Sequence, residues 1–182
     1  MTVREITAAD VLALLDLAAV HGVRIWLDGG WAVDACLGEQ TRRHDDVDIV
    51  VTVDDVDRLV AALRDRGYSD VPSPDTRLWN FVLGDTYGRE VDFHVVALDD
   101  DGNGVYGPPA NDEVYPASGL AGTGAIAGRT VNCLTAEQLV EFHTGYEPDA
   151  GDWADVSALC TRFGIPIPDG YARLAGTADD VS

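Results

Sequence analysis

The segment Asp45-Asp46-Val47-Asp48 constrains this chain most. It crowds three carboxylates into four positions at the head of an apolar, β-branched run, Ile49-Val50-Val51. Like charges this close repel, and aspartate is disfavoured within strands. In an extended chain alternate side chains face the same way. Asp46 and Asp48 therefore share one side, and Val47 and Ile49 face the core. A later run, Arg89 to Val96, repeats the parity, with Asp92 and His94 on one side and Val91 and Phe93 on the other. If the two strands are neighbours, Asp46, Asp48 and Asp92 converge on one open face. A hard divalent ion such as Mg²⁺ takes such oxygens and fills the rest of its shell with water and phosphate. Acidic pairs recur in this chain, so the Asp-x-Asp pattern alone reads equally well as solvated surface.

Gly29-Gly30 follows a short apolar strand, residues 23–27, and precedes a helix at about 31–37 that Gly38 stops. The N–H groups of such a turn form an anion site, and glycine lets phosphate oxygens approach the backbone. An isolated pair of glycines is also an ordinary tight turn, and neither GxGxxG nor a P-loop is present. Arg42 can hold phosphate oxygens in its guanidinium fork, or, with Arg43, balance local acid. His44 can orient an aspartate or cap the loop.

Around these segments the pattern is helix, strand, helix, strand, helix, hairpin, loop, hairpin, helices. The first helix, 8–22, carries a stripe of Val11, Leu14, Leu15, Ala18 and Ala19, with Ile6 before it, Thr7 as cap and His21-Gly22 as stop. A helix over 54–66, capped by Thr52 or Asp54, ends at Gly67. Strands at 78–83 and 89–96 read as a hairpin around a GDTYG turn. Residues 99–125 form a long Gly-, Asp- and Pro-rich loop with one or two short strands, a length that usually serves function or motion. A second hairpin turns at Ala127-Gly128. Thr135 caps a helix at 136–143, a last helix covers 152–163, and the final ten residues read as frayed. This is an α+β domain with a mixed or mostly antiparallel sheet flanked by helices. We divide it into residues 1–130, carrying the sheet, and a C-terminal helical segment, 131–182, that completes a substrate pocket.

The formal net charge of −20 comes from 32 acidic and 12 basic residues, all of the latter arginine. That charge argues against binding a nucleic-acid backbone and against an acidic membrane surface. It attracts a cationic small molecule, or serves solubility. Cys36, Cys133 and Cys160 show no zinc spacing and read as buried thiols. No run has the length of a membrane span, and the N-terminus lacks the marks of a secretion signal, so the expected location is cytoplasmic.

The segment Leu27 to Val51 resembles the signature of the small antibiotic nucleotidyltransferases, the lincosamide and aminoglycoside 2''-nucleotidyltransferases of the DNA polymerase β-like superfamily. Gly29-Gly30, Trp31 to Asp34, Arg42 with His44, and Asp46 with Asp48 carry the likeness. Asp92 supplies the later third carboxylate. His143, Gly145, Tyr146, Asp152 and Asp155 resemble an element of the lincosamide branch. The resemblance spans about residues 8–163 and fails over the loop 99–125. It implies a nucleotidyltransferase fold and transfer of a nucleoside monophosphate, AMP from ATP or another nucleotide, to a drug hydroxyl.

On that reading Asp46, Asp48 and Asp92 hold Mg²⁺, and Asp92 also directs the hydroxyl proton. Gly29, Gly30, Arg42 and His44 bind the nucleotide. Asp28, Asp34, Glu90, His94 and Tyr146 meet the cationic antibiotic. Each of these also has a plain structural role open to it: helix start, surface acid or lobe contact. Other readings are a nucleotidyltransferase acting on a protein hydroxyl in a toxin–antitoxin pair, and a non-catalytic nucleotide-binding module. A homodimer would suit so small a chain.

Overall fold

The computed structural model describes residues 5–108, 110 and 113–171 of the 182. Helix α1 (Ala8–Val20) leads to β1 (Ile25–Leu27), α2 (Gly29–Leu37), β2 (Asp46–Thr52) and α3 (Val56–Arg64). Strands β3 (Ser69–Val71), β4 (Asn80–Gly84), β5 (Glu90–Leu98), β6 (Gly104–Tyr106) and β7 (Glu113–Tyr115) follow. Hairpin strands β8 (Thr123–Ile126) and β9 (Arg129–Asn132), then α4 (Ala136–Phe142) and α5 (Ala150–Phe163), complete it. The main sheet runs β1-β2-β5-β4-β3, with β6 paired to β5 and β7 to β6. It is mixed: β2 and β5 are parallel, and every other pair in it is antiparallel. The expected α+β class with a mixed sheet is what the chain forms.

Local chemistry sets the ends of the elements. Thr7 caps α1 in a capping box with Asp10. Asp28 caps α2, and Gly38 stops it at φ +80°. Thr135 caps α4 through the Gln138 N–H, and Asp149 forms a capping box with Asp152 at the start of α5. The β8–β9 hairpin turns at Ala127 (φ +47°) and Gly128 (φ +80°), the left-handed pair that a two-residue turn needs.

Several expectations need correction. Asp55, not Thr52 or Asp54, holds the cap position of α3, and its side chain makes no cap bond. The stripe on α1 buries Leu17 and leaves Ala19 exposed. Residues 69–71 add an edge strand, because their backbone pairs with β4 although Ser69 and Asp70 face solvent. The long loop does contain two short strands, β6 and β7. The final ten residues lie outside the described residues.

Val47, Val91, Leu14, Leu17 and Leu63 line one crevice, so α1 and α3 cover the apolar face of β2 and β5. The opposite face carries the carboxylates. The expected boundary at residue 130 falls within β9, whose neighbour β8 packs on α2, as do α4 and α5. No helix among the described residues is long and apolar enough to cross a membrane.

Candidate active site

Parallel pairing of β2 with β5 sets Asp48 directly beside Asp92 and Asp46 beside Glu90. Ligand atoms of Asp48, Asp92 and His94 all lie within 4.8 Å of one another, a spacing that suits a metal ion. Asp46 is exposed at the start of β2. Asp92 Oδ1 is buried and has no hydrogen-bond partner. An orphaned, buried acceptor among carboxylates is costly unless something donates to it. Burial, then the charge of Asp46, pushes the Asp48 carboxyl up to about 7. Burial also raises Asp92, with His94 opposing and Asp46 reinforcing. The oxygen donors and their crowded charge therefore fit a hard divalent cation.

The glycine pair fits closely around this cluster. Gly29 has φ +54°, and a Cβ there would sit 2.1 Å from Asp48 Oδ2. At Gly30 the space is taken by protein: a Cβ would lie 2.5 Å from His44 Nδ1 and 2.6 Å from Arg42 Nη2. The lack of side chains thus lets Asp48, His44 and Arg42 close over the N-terminus of α2.

Beside the cluster opens a cavity of about 590 Å³, whose walls include Asp48, His94, Tyr106, Tyr115, Phe142 and Tyr146. Glu113 and Glu141 add acid to its rim. Tyr115 meets Phe142 edge-on, with centroids 4.9 Å apart, and Tyr106 at 5.7 Å. Asp28, only 6% exposed, also lines the cavity. Its Oδ1 accepts from the Gly29 N–H at 2.7 Å, and its Oδ2 lies 3.0 Å from His94 Nδ1 and accepts from Tyr115 Oη at 3.2 Å. Burial works against charge on His94, but the bond to Asp28 and the Asp48 and Asp92 charges outweigh it and push His94 up to about 9. The surrounding carboxylates thus favour the charged form of His94.

Of the other expected residues, Tyr146 borders the cavity and Glu90 the carboxylates, while Asp34 and His44 pair with each other. Asp34, 1% exposed, accepts from Thr41 N and Oγ1 and faces His44 Nε2 at 2.5 Å; neither Asp34 nor His44 lines the cavity. The Arg42 fork closes on Asp155 of α5, with its Nη2 donating at 2.8 Å. Tyr146 Oη donates to Asp152 at 2.9 Å while its ring borders the cavity. Glu90 flanks Asp46 and Asp92, half-buried. Tyr115, Tyr106 and Glu113 were not singled out from the sequence, and Phe142 entered only as the first residue of the lincosamide-branch element. Tyr106, Glu113 and Tyr115 belong to the loop 99–125, where aromatic and acidic residues alternate with turn formers. Only their recurrence could have marked them.

A family model described as aminoglycoside-2''-adenylyltransferase matches residues 10–159. The chain belongs to that family. Within it, the chain is 30% identical over 157 residues to a lincosamide resistance protein of Staphylococcus haemolyticus, covering 85% of this chain and 95% of that one. It is 28% identical to a 2''-aminoglycoside nucleotidyltransferase of Klebsiella pneumoniae, over 77% of this chain and 75% of the other. Among solved structures, lincomycin-bound lincosamide antibiotic adenylyltransferase LnuA superimposes with a TM-score of 0.77 at 27% identity, covering 90% of this chain and all of that one. Membership of the aminoglycoside-2''-adenylyltransferase family makes this chain an antibiotic nucleotidyltransferase, and the site above is its candidate active site.

Proposed function

We propose that the enzyme transfers AMP from ATP, in a Mg²⁺-dependent reaction, to a hydroxyl of a lincosamide or aminoglycoside antibiotic. The unpartnered, buried Oδ1 of Asp92, set among Asp48 and His94 beside Gly29, is the observation that carries this reading. Asp48 and Asp92, with Asp46 at the rim, would hold the cation. When bound, such an ion neutralises charge on the phosphates and on the departing pyrophosphate.

The chain's own groups supply the rest. The N–H groups of Gly30 and Trp31 precede the first intrahelical bond, from the Ala32 N–H to Asp28 O, and on this reading they are the donors to phosphate oxygens. Arg42, fixed by Asp155 and still 41% exposed, places its guanidinium over the same helix end. Burial makes Asp92 more basic than an ordinary carboxylate, so it can accept the proton of the drug hydroxyl. The freed oxygen attacks the α-phosphorus, its bond to pyrophosphate breaks, and pyrophosphate leaves. Catalysis on this account is positioning and electrostatics.

Residues 131–171 contribute Phe142, His143, Gly145 and Tyr146 to the cavity, which supports reading this segment as completing the drug pocket. Aromatic faces with Glu113 and Glu141 suit a sugar-bearing amine. The lincosamide relatives align over more of their length than the aminoglycoside ones, so lincosamides are the first acceptors to test. ATP as donor places the reaction in the cytoplasm.

The test is incubation with ATP, Mg²⁺ and a panel of both drug classes, read by mass gain of the drug. An adenylyl adduct on at least one drug is expected. No adduct, with labelling of a protein instead, would favour the protein-hydroxyl reading.

A further inference from the structure

We infer that Asp28 is a positioning residue, a clip that joins the N-terminus of α2 to β5 and β7 through His94 and Tyr115 and so registers the drug wall on the cation site. The inference rests on the nucleotidyl-transfer reading above. The sequence offered Asp28 and His94 as ligands for drug ammonium groups. Both line the cavity, and they are also bonded to each other, His94 Nδ1 to Asp28 Oδ2 at 3.0 Å.

Every polar group of Asp28 leads to a different part of the site. Its backbone N–H donates to Asp48 O at 2.9 Å, and its carbonyl accepts the first intrahelical bond of α2 at 3.2 Å. Its Oδ1 accepts from Gly29, the residue packed against Asp48. Its Oδ2 meets His94 of β5 and Tyr115 of β7. An ionised carboxylate only accepts, so His94 Nδ1 is held as the donor.

The tether to β7 is the informative one. Among the described residues β7 pairs only with β6, and β6 meets β5 at Val96 to Leu98, beyond His94. The ladder therefore reaches Tyr115 by a detour. The hydrogen bond from Tyr115 Oη to Asp28 is a direct link from the wall that carries Glu113 and Val114 to the turn beside Asp48. Tyr115 also lies 3.1 Å from His94 Nδ1, so the three side chains close a triangle. That hydroxyl then helps to place a drug docked on the wall relative to the α-phosphorus, beside the packing of Tyr115 on Phe142. Misplacement of about 1 Å at such a point is enough to cost rate.

Tyr115→Phe removes the hydroxyl and keeps the ring on Phe142 and Tyr106. We expect KM for the drug to rise about tenfold, with KM for the nucleotide changed less than about twofold. Asp28→Asn should raise drug KM at least as far. The double variant should be no worse than Asp28→Asn alone, because both act through one link. Wild-type drug KM in Tyr115→Phe, or additive losses, would overturn the clip. Additive losses would mean that Tyr115 acts on the drug directly. A readout independent of turnover is the His94 Nδ1 proton by NMR in substrate-free enzyme. It should resonate far downfield and exchange slowly in the wild type, and move in Tyr115→Phe. Its absence from the wild type overturns the clip even if no drug is modified, whereas its presence beside an inactive wild type would sink the functional reading alone.

Discussion

At the residue scale the account turns on Asp48 and Asp92, which the fold holds close together at a cost in stability. Asp92→Asn should lower transfer by about a thousandfold or more, through loss of a cation ligand and of the proton acceptor. The same change removes one of several like charges in a crowded, partly buried cluster, so the metal-free variant should melt at or above the wild-type temperature. Calorimetric melting without and with Mg²⁺-ATP reads both effects: the wild type should gain stability from the ligand and Asp92→Asn should gain little. Gly29→Ala makes a second case. Its new Cβ would displace the Asp48 carboxylate and must adopt φ +54°. We expect transfer to fall by about a hundredfold, checked by steady-state assay, with a lower melting temperature.

These residues were legible because strand parity fixes which side chains share a face, and because acids in a β-branched strand are unusual. The partners of Arg42 and His44 were not legible. Arg42 finds Asp155 from 113 residues away, and His44 finds Asp34 by the way the intervening loop folds. Nothing in local spacing encodes either pairing.

At the scale of elements, turn and cap chemistry explains where each segment begins. The β4–β5 hairpin, which carries Asp92 to its place, closes on Asp85. Its Oδ1 accepts from the Tyr87 and Arg89 N–H groups and its Oδ2 from Arg89 Nε at 2.7 Å. Burial acts to raise this carboxyl, but the bonds from Arg89 and Tyr87 outweigh it and hold it below the ordinary range. A depressed folded-state value means stability present above about pH 4 and lost as pH falls below it. Asp85→Asn should therefore cost roughly 1–3 kcal/mol at neutral pH and progressively less in acid, read by urea unfolding at both. Element types and caps at Thr7, Thr135 and Gly38 could be read directly from the sequence. Edge strand β3 could not, because its pairing with β4 is a tertiary choice made by a short, half-polar segment.

For the whole molecule, the C-terminal helices are tied to the nucleotide end of the site by the Arg42–Asp155 pair. Asp155 is 4% exposed, so Arg42→Ala leaves a buried charge without its partner. The expected loss is on the order of 3 kcal/mol, and hydrogen exchange should show it first in α5. The mixed sheet and helical flanks followed from the order of periodic segments. The drug wall did not, since β6 and β7 lie in the long polar loop and reach the site by packing on Phe142 and by hydrogen bonding to Asp28.

The most direct test of the central claim is a crystal structure of the enzyme soaked with Mn²⁺ and a non-hydrolysable ATP analogue. The account predicts an anomalous manganese peak within coordination distance of both Asp48 and Asp92, with phosphate against the first turn of α2. A peak elsewhere, or an Asp92 carboxylate turned away from the metal, would contradict it.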